Sequence, residues 1–319
     1  MVDLSTSYLG LDLASPLVPS SSPLTGSLDS ARRLEDAGAS AIVMPSLFEE
    51  EILADDARLE RFFEQQDLGH AEADSYRPLP SEYRGCEERY LETLASLKRH
   101  LDIPVIASLN GVSDGGWIDH AQALQEAGAD ALEMNVYYLP ADVTDTAASV
   151  EQRYVDVATA LRSQVSIPIA AKLTAQLTAP LDLVRRLDGC GVHGVSLFNR
   201  FYQPDIDLDS LLVTPQLSLS TADEALLRIR WTAMLHGHTR SDIAVTGGFH
   251  GPPEVLKALL AGASVVHLCS VLLQHGPQVI REIEAGMRAW LEEHEYDSVR
   301  QMRGSVSERH APNPAAYAR

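Results

Sequence analysis

The sequence predicts an α/β fold, a single-domain (β/α)8 barrel with extended loops on its C-terminal face. Four segments share one design, a helix that closes on Gly and a buried strand that starts two or three residues later. They are AGASAIVM (Ala37–Met44), AGADALEM (Ala127–Met134), CGVHGVSLF (Cys190–Phe198) and AGASVVHL (Ala261–Leu268). Between them lie IPVIASLNG from Ile103, IPIAAKL from Ile167 and DIAVTGG from Asp242. These runs are too continuously apolar to alternate, as expected of parallel strands covered on both faces. The stretch from Ile243 to Leu273 reads strand, glycine turn, helix, strand and turn. Two successive small, polar strand-to-helix turns make an anion site, and such barrels place one after strands seven and eight.

Pro16-Leu17-Val18 serves as the first strand, since Pro is tolerated where no ladder hydrogen bond is donated. The intervening helices read as Leu28–Ala37, Glu87–His100, Trp117–Ala127, Ser149–Gln164, Thr178–Leu187, Ala222–His236, Pro253–Ala261 and Val271–Glu293. A doubly wound open sheet alternates in the same way, but no G-x-G-x-x-G follows an early strand. Three connections are long: Phe48 to Gly85, acidic and opening as a helix at Glu49; Tyr137 to Ala148; and Arg200 to Ser220. All leave the rim where barrel enzymes keep their lids. Residues 1–304 are expected to form the barrel, and 305–319, with Pro312 and Pro314, a loosely ordered tail.

A chain of 319 residues suits one such barrel. Its net charge of −20 argues against nucleic acid or an anionic membrane as partner, since both need a basic footprint. Cys86, Cys190 and Cys269 show no C-x-x-C spacing, which suits a reducing compartment and offers neither a disulfide frame nor a zinc site. No signal peptide is readable, and no apolar segment reaches the roughly 18 residues that span a bilayer. A soluble, cytoplasmic protein is the expectation.

The residues that end the strands carry the chemistry. Ser20 and Ser21 follow strand one and Met44-Pro45-Ser46 end strand two. Asn110, Asn135, Lys172 and Asn199 end strands three to six. Thr246-Gly247-Gly248 and Cys269-Ser270 end strands seven and eight. Buried amides and a buried ammonium are costly without partners, so the ring points to a bound polar molecule. There is no G-x-S-x-G, H-E-x-x-H or Walker loop, and no carboxylate at a strand end, which disfavours a metal and paired-carboxylate hydrolysis. Lys172 can form a Schiff base or hold its charge against an electron-rich ring that carries a phosphate. A phosphorylated flavin fits the second option, with the asparagines meeting its polar edges.

SLNG (Ser108–Gly111), EMN (Glu133–Asn135), AKL (Ala171–Leu173), LFN (Leu197–Asn199) and TGG (Thr246–Gly248) fall in an order that resembles the dihydroorotate dehydrogenase family of FMN barrels. The resemblance covers nearly the whole chain. It implies FMN as cofactor, with Gly247, Gly248, Cys269 and Ser270 at its phosphate and Lys172 near the flavin N1/O2 edge. Asn110, Asn135 and Asn199 would bond the isoalloxazine, the substrate, or both. The implied reaction is hydride transfer between a dihydropyrimidine-like small molecule, nominally dihydroorotate, and flavin N5. The soluble branch of the family further implies a homodimer, and the nominal substrate a place in pyrimidine biosynthesis.

The departures concern the substrate side. The family's loop after strand four carries a Cys or Ser base; here it reads NVYYLP, which puts Tyr138 at that place and Pro140 where an Asn is expected. A phenol of pKa about 10 is a poor base unless its anion is stabilised. Tyr137 and Tyr138 also fit an aromatic lid. Met44-Pro45 replace the family's lysine after strand two, and Arg200 replaces a small residue. Cys269 reads as a small residue under the phosphate rather than a redox thiol, and His250 lies within reach of that phosphate. Two other classes remain open: a flavin-binding protein that has lost this chemistry, and a non-redox phosphate-binding barrel that uses Lys172.

Overall fold

The computed structural model describes residues 2–55, 57–58, 84–111, 114–136, 138–200 and 203–319. Two short strands, β1 (Thr6–Tyr8) and β2 (Leu11–Leu13), form a hairpin ahead of the first barrel strand, β3 (Leu17–Pro19). The other barrel strands are β4 (Ile42–Phe48), β5 (Val105–Asn110), β6 (Ala131–Asn135), β7 (Ile169–Thr174) and β8 (Gly194–Asn199). A second hairpin, β9 (Gln203–Asp207) and β10 (Leu212–Gln216), precedes β11 (Asp242–Thr246) and β12 (Val265–Leu268), which complete the barrel.

The barrel strands pair in parallel in the order β4, β5, β6, β7, β8, β11, β12, β3. Ser40 stitches the two ends together, its N–H and Oγ both donating to the Leu17 carbonyl, at 3.2 and 3.0 Å. The sheet is therefore a nearly closed (β/α)8, or TIM, barrel. Every residue of β5, β6 and β7 is buried, because one face fills the interior while the other lies under helices.

The helices are α1 (Leu28–Asp36), α2 (Cys86–His100), α3 (Asp114–Glu126), α4 (Ala147–Gln164), α5 (Pro180–Gly189) and α6 (Ala225–Leu235). They continue with α7 (Pro252–Ala261), α8 (Ser270–His275), α9 (Val279–Glu293) and α10 (Val299–Met302). Residues 49–55 are also helical, as Glu49 leads the sequence to expect. In α7, Pro252 and Pro253 occupy the first turn, where a missing N–H costs nothing, and Glu254 Oε2 accepts from the Gly251 N–H at 3.0 Å. The helix stops at Gly262, with φ +125°, where a Cβ would sit 2.4 Å from the His236 ring.

Several expectations are corrected. The long helix expected over Val271–Glu293 is broken into α8 and α9 by Gly276, at φ +77°, and by Pro277, which has no N–H to donate. Strand β4 runs past Met44-Pro45-Ser46 to Phe48, and its register shifts between Val43 and Ser46 so that Pro45 escapes the ladder. The loop Arg200–Ser220 contains the hairpin β9–β10, where Ile206 pairs with Val213. The tail after residue 304 packs down rather than hanging loose. The Val306 and Glu308 N–H groups donate to Leu260 and Ala233 carbonyls at 2.9 and 3.0 Å, and the Tyr317 hydroxyl donates to the Val306 carbonyl at 2.6 Å. These partners are tertiary, so Pro-rich composition did not reveal them.

At its N-terminal end the barrel is plugged by the first hairpin. Tyr8, Leu9 and Leu13 pack with Val18, Val43, Ile106, Ala170 and Val265, and the Leu9 N–H donates to Asp242 Oδ2 at 2.9 Å. Access to the interior is thereby left to the opposite, C-terminal end. Among the described residues, no helix is long and apolar enough to cross a membrane, and no group of three His, Cys, Asp or Glu is placed to hold a metal.

Candidate active site

A cavity of about 230 Å³ opens at the C-terminal mouth. Ser20, Ser21, Lys172, Asn199, Thr246, Gly247, Gly248, Cys269 and Ser270 line it, so one side of the predicted ring does converge. Asn110 and Asn135 are buried at the ends of β5 and β6 without lining the cavity, and neither does Tyr138.

The turn after β11 is shaped by its glycines. Gly247 and Gly248 have φ +88° and +95°, and a Cβ on Gly248 would lie 2.3 Å from the Ala225 nitrogen. This left-handed pair keeps the turn free of side chains where it lines the cavity. The Gly248 N–H donates to Ser220 Oγ at 3.1 Å, and the Ser220 N–H donates to Ser270 Oγ at 3.0 Å. Ser220 Oγ donates in turn to Ser270 Oγ at 2.9 Å, and His250 Nε2 lies 3.3 Å from the same hydroxyl. Behind the turn, buried Arg228 donates through Nε to the Thr246 carbonyl at 3.0 Å and through Nη1 to the Glu224 carbonyl at 2.8 Å. Hydroxyls, a backbone N–H and a backing guanidinium give this end of the cavity a donor-rich lining.

Neither Ser220 nor Arg228 was singled out from the sequence. The available signal was the capping box formed by Thr221 and Glu224, which marks the helix start and makes Ser220 the last rim residue before it.

The floor is ionic. Lys172 Nζ donates to Glu133 Oε1 at 3.2 Å, with both side chains almost fully buried. Glu133 Oε2 lies 3.9 Å from His267 Nδ1, which is also 3.5 Å from Ser196 Oγ. Burial pushes the His267 pKa down to about 4, with the Lys172 charge adding to the effect and Glu133 opposing it, so its ring is neutral at pH 7. A carboxylate does therefore reach the site, two residues short of the end of β6 and so overlooked among strand-end residues.

Above this floor runs an amide belt. Asn199 Nδ2 donates to Asn135 Oδ1 at 2.8 Å, Asn135 Nδ2 to Ser46 Oγ at 3.5 Å, and Ser46 Oγ is 2.8 Å from Ser108 Oγ. Arg200, at the lip, donates through Nε to Glu224 Oε2 at 3.0 Å and through its other nitrogens to Ser218. Burial raises the Cys269 thiol pKa, against the lowering pull of Lys172 and Arg200, which agrees with a packing role.

Tyr138 is engaged elsewhere. Its hydroxyl donates to both Asp145 oxygens, at 2.9 and 2.8 Å, and the Arg153 guanidinium sits 4.0 Å from its ring centroid. The Asp145 hydrogen bond, followed by burial, raises its pKa, which is the opposite of what a base at neutral pH needs. Tyr137 lies outside the described residues.

No protein-family model matches the chain. It is similar to a protein of Aeropyrum pernix provisionally named dihydroorotate dehydrogenase A (fumarate), 30% identical over 207 residues, which are 62% of this chain and 66% of that one. The chain thus spans just under two thirds of that relative. A second likeness is to the catalytic subunit of dihydroorotate dehydrogenase B (NAD(+)) of Thermoplasma volcanium, 23% identical over 97% of this chain and 100% of the other. A third is to the NAD-dependent dihydropyrimidine dehydrogenase subunit PreA of Escherichia coli, 21% identical over 97% of this chain and 78% of the other.

Fold and site together define a (β/α)8 barrel with a glycine turn and serine hydroxyls after its last two strands and a buried lysine in the same cavity. These relatives, together with the barrel, support a likeness to dihydroorotate dehydrogenase-like barrels.

Proposed function

We propose that the protein is an FMN-dependent oxidoreductase that moves a hydride between a dihydropyrimidine-like small molecule, nominally dihydroorotate, and the flavin. The observation that carries this reading is the Gly247-Gly248 turn. It has no room for a side chain at Gly248, and it opens into the same cavity as Lys172 and Asn199. A phosphorylated ring compound fits such a donor set: N–H and hydroxyl donors at one end, an ammonium and amides at the other. FMN held there would supply the hydride acceptor, its ring N5.

The chain's own residues do the rest. Ser220 and Ser270 would hold the phosphate, Ser220 being fixed by the Gly248 N–H, and buried Arg228 backs the turn with positive charge. Lys172 presents its ammonium where a ring edge gains negative charge, worth most in a water-poor site. Asn199, fixed by Asn135, orients polar groups of the ring or of the substrate. Buried Phe198 and Phe249 give the wall an apolar surface. Tyr138, expected in the base position, is not the base in this reading, because its hydroxyl is bonded to Asp145 and its ring faces Arg153.

That same bond favours a second reading, a flavin-binding member of the family with another substrate. Extraction of bound flavin from the purified protein, followed by anaerobic mixing with dihydroorotate, separates them. About one FMN per chain that bleaches with dihydroorotate supports the first reading; FMN without bleaching supports the second. Absence of flavin overturns both.

The proposal extends to a cytoplasmic homodimer. The three cysteines are unpaired, which supports a reducing compartment. Ile206 and Val213, paired on one face of the β9–β10 hairpin, are 60% and 70% exposed, while Asp205 and Asp207 turn to the other face. An uncharged apolar face suits a second copy. Sedimentation velocity should show a dimer that Ile206→Asp with Val213→Asp splits; a monomeric wild type, or a dimer in both, overturns it.

A further inference from the structure

We propose that Glu133 is a positioning residue for Lys172, with His267 as its backstop. Together they hold the lysine ammonium at the cavity floor and moderate the charge it presents upward. The ligand in this inference rests on the flavin reading; the geometry does not.

Strand register explains how the three meet. Glu133 and Asn135 alternate on β6, as do His267 and Cys269 at the end of β12, so each polar pair points the same way, one layer apart. Asn135 pairs in register with Lys172 on β7, which places Glu133 one layer beneath the lysine. Lys172 Nζ is 3.2 Å from Glu133 Oε1. The second carboxylate oxygen has no hydrogen-bond partner and lies 3.9 Å from His267 Nδ1, which is contact rather than a hydrogen bond. His267 is itself propped from below, its ring meeting Tyr8 edge to face at 5.9 Å and 88°. Tyr8 belongs to the apolar plug, and Glu133 is 1% exposed with Lys172 as its hydrogen-bond partner.

An ordinary stabilising ion pair is the competing explanation, and energetics weigh against it. A buried pair is about neutral in stability compared with well-packed apolar residues, because desolvation cancels the attraction. Two formal charges at the floor of a binding cavity therefore mark a role towards what binds above. A lone ammonium would present its full charge and move freely on four carbons. A carboxylate braced by a neutral ring limits both.

The test has two readouts. The first is the midpoint potential of bound flavin, by dye equilibration. Glu133→Gln keeps the shape and removes the negative charge, so reduced flavin should be favoured by about tenfold, a rise of about 30 mV for a two-electron couple. Glu133→Asp, which keeps the charge, should stay nearer wild type. The second readout needs no flavin: reductive methylation of Lys172 followed by mass spectrometry. It should be several-fold faster in Glu133→Gln and faster by a smaller factor in His267→Ala, where the carboxylate is free to swing away.

A purely structural pair would lower stability and leave both readouts unchanged; that result overturns the inference. A wild type without flavin sinks the functional reading, and the methylation rates alone then decide the positioning. If Glu133→Gln does not fold, His267→Ala decides: faster labelling supports the inference, and an unchanged rate overturns it.

Discussion

The two sides of the barrel mouth are built by different means. On the side of β11, β12 and β3, short turns put backbone and small hydroxyl side chains around the cavity. On the side of β4, β5 and β6, Asn110 and Asn135, which end β5 and β6, are buried, and long connections follow β4 and β6. The first side depends on where a chain with no Cβ can go, so it tolerates little change. The second depends on the side chains its strands carry, Ser46, Ser108 and Asn135, and next to them the sequence departs most from its resemblance. A site of this kind can keep one ligand's anchor while exchanging what it acts on.

The strongest way to break this contrast is at Gly248. Gly248→Val forces a branched side chain onto φ +95°, against the backbone of Ala225. The expected cost is about 3 kcal/mol from backbone strain and overpacking. Thermal unfolding should show it, together with loss of bound FMN. A variant with wild-type stability and flavin content would mean that the backbone does not define that side.

The floor shared by both sides offers a test of similar size. The His267 pKa is lowered from 6.5 to about 4 in the folded protein, so between these values the unfolded chain binds more protons. Stability is then fully present above pH 6.5 and falls as the pH drops towards 4, by about 3 kcal/mol. Urea unfolding between pH 7 and pH 4 measures the slope. His267→Gln should flatten it, and an unchanged slope would assign the acid sensitivity to other groups.

Ser220→Ala probes a loop side chain within the backbone-built side. Removing the acceptor of the Gly248 N–H costs about 1 kcal/mol, so FMN affinity should fall about fivefold at unchanged turnover. A loss beyond a hundredfold would show that loop side chains, not backbone, carry the phosphate. The smallest effect belongs to Tyr138→Phe. With the hydroxyl committed to Asp145, turnover on the true substrate should stay within about twofold. A drop of several orders of magnitude would restore Tyr138 as the base.

Much of this architecture was legible before any coordinates. Strand order, most helix bounds, the glycine turn and the inward Lys172 follow local rules: period, caps, and residues that suit only one backbone region. The hairpin β9–β10 was hidden because Ile206 and Val213 lie in exposed strands outside the barrel, where no continuous apolar run announces them. The tail was misjudged because Leu260, Ala233 and Val306, which receive its hydrogen bonds, are remote from Pro312 and Pro314 or unmarked by type.

What the chain alone determined, then, is the frame and the glycine turn, since each depends on neighbours a few residues away. Tertiary structure alone decided the partners. Glu133 finds Lys172 across 39 residues, Ser220 finds Gly248 across 28 and Ser270 across 50, and Tyr138 is claimed by Asp145 only once its loop has folded. A buried charge or hydroxyl can pair with whatever the barrel carries to it, and closure of the barrel selects the partner.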